Sequence, residues 1–420
     1  MGMTIAEKIL ARAAGRESVA PGEIVVVKVD TAVVIDIGFY PGIWRWPARV
    51  WDPDRVVVVH DHLVPAKDVQ SAEALQAGRR FVERYGVTRF HDVGRTQGIS
   101  HQVVADEAYA LPGTVLVCID SHTSSGGALN CCARGIGPAE LLYVLCTGET
   151  WFRVAPTIRY ELHGRLRPWV AAKDVLLWIA SRFGSHANRN LELGGPAMAT
   201  LGLDARRTLS TMAAEVSAEF ALWEPDDVLV EHVRSRTDRP FSPTSPDPDA
   251  RYLDVRRIEL DTLEPHVALP DSVAGNTLPV SELDGTVKLD QCFVGSCANG
   301  TLEDLATVAA IVGGKQIAPG VRFIVTPGSQ RIYREAAKQG IITTLVEAGC
   351  LVTPSACGAC AGLDLGVLGP GEVCLTASTR NFKGRMGSPE ARIYIGSTAT
   401  VAASALTGRI TDPRRIEGQR

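Results

Sequence analysis

The chain has 420 residues, and its 43 lysine and arginine residues against 47 aspartate and glutamate residues give a formal net charge of −4. That balance argues against a nucleic-acid-binding protein, which usually carries a net positive charge or a basic stripe. No apolar run reaches the roughly 18 residues that a membrane-spanning helix needs, and the N-terminus lacks the apolar core of a signal peptide. We therefore expect a cytoplasmic, globular protein of about three domains, at roughly 150 residues per domain.

Short β-branched runs alternate along the chain with longer amphipathic stretches. The runs that indicate strands are 24–29, 55–59, 114–119, 321–326 and 393–396. The stretches 71–85 and 330–337 have the apolar spacing of helices. Strands that alternate with helices predict α/β domains with largely parallel sheets. We place the domains at 1–155, 156–270 and 271–420, with a proline-rich loop at 235–249 in the second.

Ten cysteines in a cytoplasmic protein favour metal ligands or redox thiols over disulfides. In the C-G-A-C sequence at 357–360, Cys357 and Cys360 have the spacing that lets two thiolates bind one metal centre, with a dithiol redox pair or a structural pair as alternatives. Cys297 lies between an apolar run and the helical pattern of 302–312, which predicts a strand–turn–helix context. Three such thiolates suit either zinc with a fourth ligand or an iron–sulfur cluster.

Three histidines lie in turns at or near the ends of strand-like runs: His62, His101 and His122. Ligands of open α/β sheets bind outside the carboxyl ends of the strands, so the three side chains are expected to converge. The neighbouring Asp61 and Asp120 can orient the imidazoles and shift their pKa values. The alternative is that each histidine is an ordinary core or surface residue.

Arg380 and Arg385 lie in a basic loop after the strand-like residues 373–377. Guanidinium groups bind carboxylates with two parallel hydrogen bonds. A basic loop is ordinarily a solvated surface, but its short distance in sequence from the cysteine pair favours a carboxylate clamp near the metal.

The motif-bearing segments together resemble the aconitase superfamily, in particular its isopropylmalate dehydratase branch. They are residues 60–68, 98–103, 118–129, 295–305, 355–363 and 380–413. The resemblance covers nearly the whole chain. It implies three α/β domains around a central cluster cavity, without the family's fourth, swivelling domain. It also implies a [4Fe–4S] cluster, with one open iron, held by Cys297, Cys357 and Cys360.

The resemblance also implies roles for individual side chains. The expected catalytic residues are Asp61, His62, His101, Asp120, His122 and Glu215. The expected substrate contacts are Ser121, Asn299, Arg380 and Arg385. The implied reaction is the reversible dehydration of a malate-like 2-hydroxy di- or tricarboxylate, with interconversion of 3-isopropylmalate and 2-isopropylmalate as the first expectation.

In this branch the swivelling domain, which carries a serine base, is a separate small subunit. We therefore expect a complex with such a small subunit and little activity for the chain alone. The expected ligand is a small hydroxy diacid, and neither nucleic acid nor a membrane is an expected partner.

Departures from the family pattern, including those below, leave the exact substrate open. Ile35 stands where the family has histidine, and Thr211 and Thr379 stand where it has asparagines near the cluster. One alternative is a specialised paralogue that acts on homoaconitate, methylmalate or another substituted malate. Alternatives of other classes are a cluster-sensing RNA-binding regulator, a zinc hydrolase and a non-catalytic scaffold.

Overall fold

A computed structural model of the chain describes residues 2–43 and 45–416. The strands are β1 Ile24–Lys28, β2 Thr31–Ile35, β3 Val56–Val59, β4 Arg89–His91, β5 Val115–Cys118, β6 Cys132–Gly135, β7 Glu149–Arg153, β8 Thr157–His163, β9 Asn190–Gly194, β10 Ala221–Trp223, β11 Asp254–Glu259, β12 His266–Ala268, β13 Thr277–Pro279, β14 Gln291–Val294, β15 Arg322–Val325, β16 Leu351–Val352, β17 Val373–Thr376 and β18 Arg392–Gly396.

The α-helices are α1 Ile5–Ala13, α2 Val69–Tyr85, α3 Ser100–Asp106, α4 Pro138–Thr147, α5 Ala172–Phe183, α6 Leu203–Met212, α7 Asp227–Arg234, α8 Ser296–Asn299, α9 Leu302–Val312, α10 Gln330–Lys338, α11 Ile341–Glu347 and α12 Thr398–Thr407. Within the described ranges, none of these helices is long and apolar enough to cross a membrane. The predicted helices at 71–85 and 330–337 are confirmed as α2 and α10, and the proline-rich segment 235–249 contains neither helix nor strand.

The chain forms two compact units that take alternate segments of the sequence. Unit 1 comprises the residues through Asp92, Ser100–Gly164 and His186–Glu259. Unit 2 comprises Val93–Ile99, Arg165–Ser185 and the residues from Leu260 onward. The division into domains at 1–155, 156–270 and 271–420 stays a prediction.

Unit 1 is built on parallel sheets. Its five-stranded sheet has the order β4-β3-β2-β5-β6, and every pair in it is parallel. All four valines of β3 are buried, as expected for a strand that is covered on both faces of a parallel sheet. A second sheet, β10-β9-β8-β11, is also parallel, and β1 and β7 form an antiparallel ribbon.

Unit 2 contains a seven-stranded sheet of order β13-β12-β18-β17-β14-β15-β16. The five strands from β18 to β16 are parallel, and β12 and β13 join one edge in antiparallel pairing. Helices α9 and α12 contribute Leu305, Val308 and Val401 to an aliphatic core against this sheet. The predicted α/β class with largely parallel sheets is confirmed.

Local sequence signals fix where the helices begin and end. The Asp68 side chain accepts the Ser71 N–H at 2.7 Å at the start of α2, and Gly86 ends that helix in the left-handed conformation, with φ of +68°. Thr301 and Asp304 cap the start of α9 reciprocally through side chain and backbone. Both helices are therefore delimited by residues that can be read in the sequence.

Gly127 tests how tightly the 3₁₀ segment Ser121–Leu129 packs on β10. A Cβ atom at Gly127 would lie 1.8 Å from the carbonyl oxygen of Ala221, a distance at which the backbone itself must move. We expect Gly127→Ala to lower the free energy of unfolding by at least about 2 kcal/mol, measured by urea denaturation.

Gly137→Ala is the matched control, because Gly137 has φ of −69° and open space around the new methyl group. Because Gly137 is the N-cap of α4 and alanine caps less well than glycine, this variant should lose no more than about 1 kcal/mol, clearly less than Gly127→Ala. Equal stabilities of the two variants would show that the 121–129 segment does not need this close approach.

Candidate active site

Three aspartates follow three neighbouring strands of the five-stranded sheet in unit 1. Asp36 follows β2 directly, and Asp61 and Asp120 each come two residues after the last residue of β3 and β5. The strands are adjacent and parallel, so the three carboxyl groups emerge at one edge of the sheet. Asp36 and Asp61 are fully buried. Such a concentration of buried carboxylates needs donors and a counter-charge.

Backbone amides supply the donors for Asp36. Its carboxylate accepts the N–H groups of Asp61 at 3.1 Å, His62 at 3.0 Å and Leu63 at 2.8 Å. Burial, together with the nearby Asp61 charge, nevertheless raises the pKa of Asp36 to about 6. Asp36 therefore fixes the backbone that presents Asp61 and His62, and the sequence patterns alone did not predict this function.

His62 supplies the counter-charge. Its Nδ1 lies 2.7 Å from Oδ1 of Asp61 and 3.8 Å from Oδ1 of Asp36. Burial opposes the charged imidazolium, but the surrounding carboxylates outweigh it and raise the pKa of His62 to about 10. Burial likewise disfavours ionisation of Asp61, yet the interactions with His62 and the Ser100 N–H leave its pKa below the ordinary value. At neutral pH the two side chains form a buried ion pair.

Asp120 connects the other two predicted histidines. Its Oδ1 lies 2.9 Å from Nε2 of His101 and accepts the backbone N–H of His122 at 2.7 Å. Although burial disfavours its charge, the hydrogen bond and charge of His101 and the charges of His122 and His62 hold the pKa of Asp120 well below its usual range. His101 lies in α3, one residue after Ser100, rather than at a strand end.

Glu215 completes the group from a 3₁₀ segment after α6. Its Oε1 lies 2.8 Å from Nε2 of His122, and the His122 ring stands perpendicular to that of His101 with centroids 6.3 Å apart. Ser121, between Asp120 and His122, is exposed. Unit 1 thus brings together Asp61, His62, His101, Asp120, His122 and Glu215, while the roles assigned to them stay predictions.

The predicted cysteines all lie in unit 2. Cys297 is in the one-turn helix α8, directly after β14. A Cβ on Gly295, which has φ of +149°, would lie 2.6 Å from the Thr326 carbonyl oxygen, so glycine is required for this approach. Gly300 accepts the Gly328 N–H at 2.7 Å, which fixes the Cys297 turn against the segment that follows β15.

Cys357 and Cys360 belong to one tight turn. The Cys360 N–H donates to the Cys357 carbonyl at 3.1 Å. The predicted arginine loop packs beside this turn: a Cβ on Gly362 would lie 2.6 Å from the Arg385 carbonyl, and Nη2 of Arg385 lies 3.8 Å from Sγ of Cys360. Arg380 and Arg385 are both half-buried.

Unsatisfied oxygen atoms surround the cysteine and arginine segments. Among the buried side-chain oxygens that have no hydrogen-bond partner in the described part of the chain, five lie in these segments: those of Ser296, Asn299 (Oδ1), Ser355, Ser378 and Thr379. Each residue lies within two positions in sequence of Cys297, Cys357 or Arg380. All ten cysteines are described and are free thiols. Because buried polar atoms are normally satisfied, these residues fit a polar or ionic group bound beside the three thiols.

Comparison with known proteins places this geometry in a family. A sequence model described as the Aconitase family (aconitate hydratase) matches residues 47–286 and 276–408. A relative from Mycolicibacterium smegmatis, named 3-isopropylmalate dehydratase large subunit, is 52% identical over 419 residues, which cover 100% of this chain and 99% of the relative. The chain belongs to the aconitase family.

Two further proteins are similar to the chain. A relative from Methanothermobacter thermautotrophicus, named probable methanogen homoaconitase large subunit, is 40% identical over 99% of both proteins. A crystal structure of Thermococcus kodakaraensis aconitase X in its holo-form superimposes with a TM-score of 0.50 at 12% identity, covering 87% of this chain and 88% of that one. The structural similarity supports the aconitase-type fold.

The residues expected to depart from the family pattern have defined environments. Ile35 is buried at the end of β2. Thr211 donates its hydroxyl hydrogen to the Arg207 carbonyl at 2.7 Å, whereas the Thr379 hydroxyl is among the unsatisfied atoms in the described chain.

Asp36, Asp61 and His62 each offer a potential metal-ligand atom within 4.8 Å of the others. The amide donors of Asp36 and the Asp61–His62 ion pair already account for that cluster without a cation.

The His62 ion pair predicts a pH dependence of stability. The pKa of about 10 in the folded chain exceeds the ordinary 6.5, so the stabilisation is complete below pH 6.5 and is lost as the pH rises through 10. The difference in unfolding free energy between the wild type and His62→Gln should therefore narrow over this range, by at most about 1.4 kcal/mol per pH unit. Urea denaturation at several pH values measures it.

His163→Gln is the control, because His163 is partly exposed and its nearest carboxylate, Glu161, lies 4.0 Å away. Its difference from the wild type is the baseline against which the His62→Gln profile is compared. A flat profile for His62→Gln would contradict a buried imidazolium at this position.

Asp36→Asn tests the positioning function of the Asp36 carboxylate. The amide group would direct N–H donors toward backbone N–H groups that now have an acceptor, so we expect a loss of about 1–3 kcal/mol in unfolding free energy. The pKa of His62, followed by NMR, should also fall because one of its carboxylate neighbours loses its charge. Asp261→Asn, at an exposed position, is the control and should change neither quantity. If His62 in Asp36→Asn titrates at the same pH as in the wild type, Asp36 does not have this function.

Proposed function

We propose that this chain is the large subunit of an iron–sulfur hydro-lyase that interconverts 3-isopropylmalate and 2-isopropylmalate. The observation that carries the proposal is 52% identity, over the whole chain, to a protein named 3-isopropylmalate dehydratase large subunit. That name supports a second proposal, a separate small subunit, which would bring the swivelling domain and its serine base.

Cys297, Cys357 and Cys360 would hold the cluster. Three thiolates are the donor set of a four-iron cluster with one iron open to substrate, and the unsatisfied oxygens of Ser296 and Thr379 provide polar groups beside that set. When bound, a [4Fe–4S] cluster of this kind supplies a Lewis acid for a hydroxyl and a carboxylate oxygen.

His62 would supply the proton for the departing hydroxyl. Its imidazolium is held against Asp61 at 2.7 Å, and its raised pKa keeps it charged at neutral pH. An imidazolium remains a much stronger acid than water, so proton transfer to a leaving hydroxide is favourable. Asp120 holds His101 in place, and Glu215 holds His122. These side chains would orient the reacting groups.

Arg380 and Arg385 would bind the carboxylates of the substrate. Each guanidinium presents a planar pair of N–H donors that matches a carboxylate. Arg385 lies 3.8 Å from the Cys360 sulfur, so a carboxylate that it binds lies close to the thiol set. Ser121 and Asn299 are the further proposed contacts, and the unsatisfied Oδ1 of Asn299 supports a polar ligand there.

A second candidate substrate is homoaconitate or another substituted malate. The 40% identity to a protein named probable methanogen homoaconitase large subunit supports this alternative, at a lower level than the 52% relative. Ile35, Thr211 and Thr379 depart from the expected family pattern, and their contacts with the substrate would differ from those in other family members.

Anaerobic reconstitution tests the cluster. The wild-type chain should take up the iron and sulfide of one [4Fe–4S] cluster and gain brown absorbance. Cys297→Ser, Cys357→Ser or Cys360→Ser should remove most of the bound iron, because each thiolate is one of only three ligands. Cys146→Ser, at a more exposed cysteine, should retain full loading. Zinc without sulfide in the wild type would instead indicate a zinc enzyme.

Activity measurements test the partner and the substrate. The reconstituted chain should turn over 3-isopropylmalate only when a small subunit is added, because the proposed serine base belongs to that subunit. A panel that contains homoaconitate and methylmalate identifies the preferred side group. Full turnover by the chain alone would refute the two-subunit proposal. Clearly faster turnover of another hydroxy diacid would show that 3-isopropylmalate is not the preferred substrate.

A further inference from the structure

Lys173 is a fully buried lysine in unit 2 that none of the motifs includes. It lies in the first turn of α5, and its ammonium group donates to the carbonyl of Ala377 and, at 2.8 Å, to that of Ser378. These carbonyls follow β17 and directly precede Thr379 and Arg380. The ammonium group therefore fixes the backbone from which the arginine loop begins.

Asp304 is a half-buried carboxylate in the same unit. Its carboxylate accepts hydrogen bonds from Asn299 at 2.9 Å, Thr301 at 2.7 Å and Thr398 at 2.6 Å. Asn299 comes two residues after Cys297 in the one-turn helix α8. Asp304 thus ties the Cys297 turn to the starts of α9 and α12.

Lys173 lies within electrostatic range of Asp304 and of the sulfurs of Cys297 and Cys360. Burial lowers the pKa of Lys173 to about 8, and the negative charges around it oppose that effect. Two carbonyl acceptors alone do not require a charge, since a neutral amide donor can satisfy them. Burying an ammonium is costly unless anions compensate it, and thiolates bound to a metal cluster are such anions.

We infer that Lys173 is a positioning residue for the cofactor site, whose buried charge stabilises the thiolate-bound cluster while its hydrogen bonds hold the backbone that leads to Arg380. This inference rests on the proposed function, since it assumes that the three cysteines hold an iron–sulfur cluster. It assigns Lys173 no contact with the substrate. The negatively charged carboxylate of Asp304 lies within electrostatic range of the same ammonium group.

The test compares substitutions that change charge with one that keeps it, in the full-length chain reconstituted anaerobically. Lys173→Gln retains a donor but removes the charge, and Lys173→Arg retains the charge. We expect Lys173→Gln to release iron to a chelator about tenfold faster than the wild type, as other neighbours of metal ligands do when changed. Lys173→Arg should be close to the wild type, and Lys338→Gln, at an exposed lysine, should be unchanged.

The reduction potential of the cluster separates an electrostatic function from a purely structural one. Loss of a positive charge makes the cluster harder to reduce, so the midpoint potential of Lys173→Gln should become more negative. Asp304→Asn removes a negative charge and should shift the potential in the opposite direction. This second variant also keeps the inference testable if Lys173→Gln does not fold.

The possible outcomes are distinct. Opposite shifts in the two variants, with Lys173→Arg unchanged, support the inference. A wild-type potential in Lys173→Gln, or shifts of the same sign in Lys173→Gln and Asp304→Asn, would overturn it while leaving the cluster proposal intact. A wild-type chain that takes up no iron and sulfide would overturn the proposed function, and this inference with it.

Discussion

The Asp61–His62 ion pair makes the candidate catalytic site of unit 1 physically possible. Parallel strands β3, β2 and β5 bring Asp61, Asp36 and Asp120 to one edge of a sheet, where their mutual repulsion and burial disfavour ionisation. One imidazolium, 2.7 Å from Asp61 and 3.9 Å from Asp120, offsets that repulsion. The backbone amides on Asp36 then hold the pair in place. The contacts between the His62 imidazolium and the carboxylates therefore offset their repulsion and also keep a proton on His62.

Unit 2 uses the same strand-end geometry for different side chains. Cys297 follows β14, the Cys357–Cys360 turn follows β16, and the arginine loop follows β17, with β15 between β14 and β16. Glycines at 295 and 300 allow the Cys297 turn to approach the segment after β15, and Gly362 allows the Cys357–Cys360 turn to approach the arginine loop, because a side chain at each position would meet backbone atoms within 3 Å. Strand order and the absence of side chains at a few positions therefore fix where the cysteine turns and the arginine loop lie.

Much of this arrangement could be predicted from the sequence, because its signals are local. The strands, the C-G-A-C spacing and the histidines of the strand-end turns are patterns within a few residues of one another. Asp36 and Lys173 differ, because their partners at 61–63 and 377–378 are distant in sequence. A buried acid after an apolar strand, and the charged pair Lys173–Asp174 within an apolar helix, are the available signals. Only the fold shows what these side chains contact.

The interleaved course of the chain has a consequence for its biosynthesis. Residues 165–185 belong to unit 2, yet unit 1 is completed only at Glu259, and the strands against which α5 packs lie beyond residue 260. During translation this apolar helix, with its lysine, emerges long before the sheet that buries it. At elongation rates of roughly 5–20 residues per second, it stays unprotected for several seconds. Apolar surface exposed in that interval favours aggregation of the nascent polypeptide.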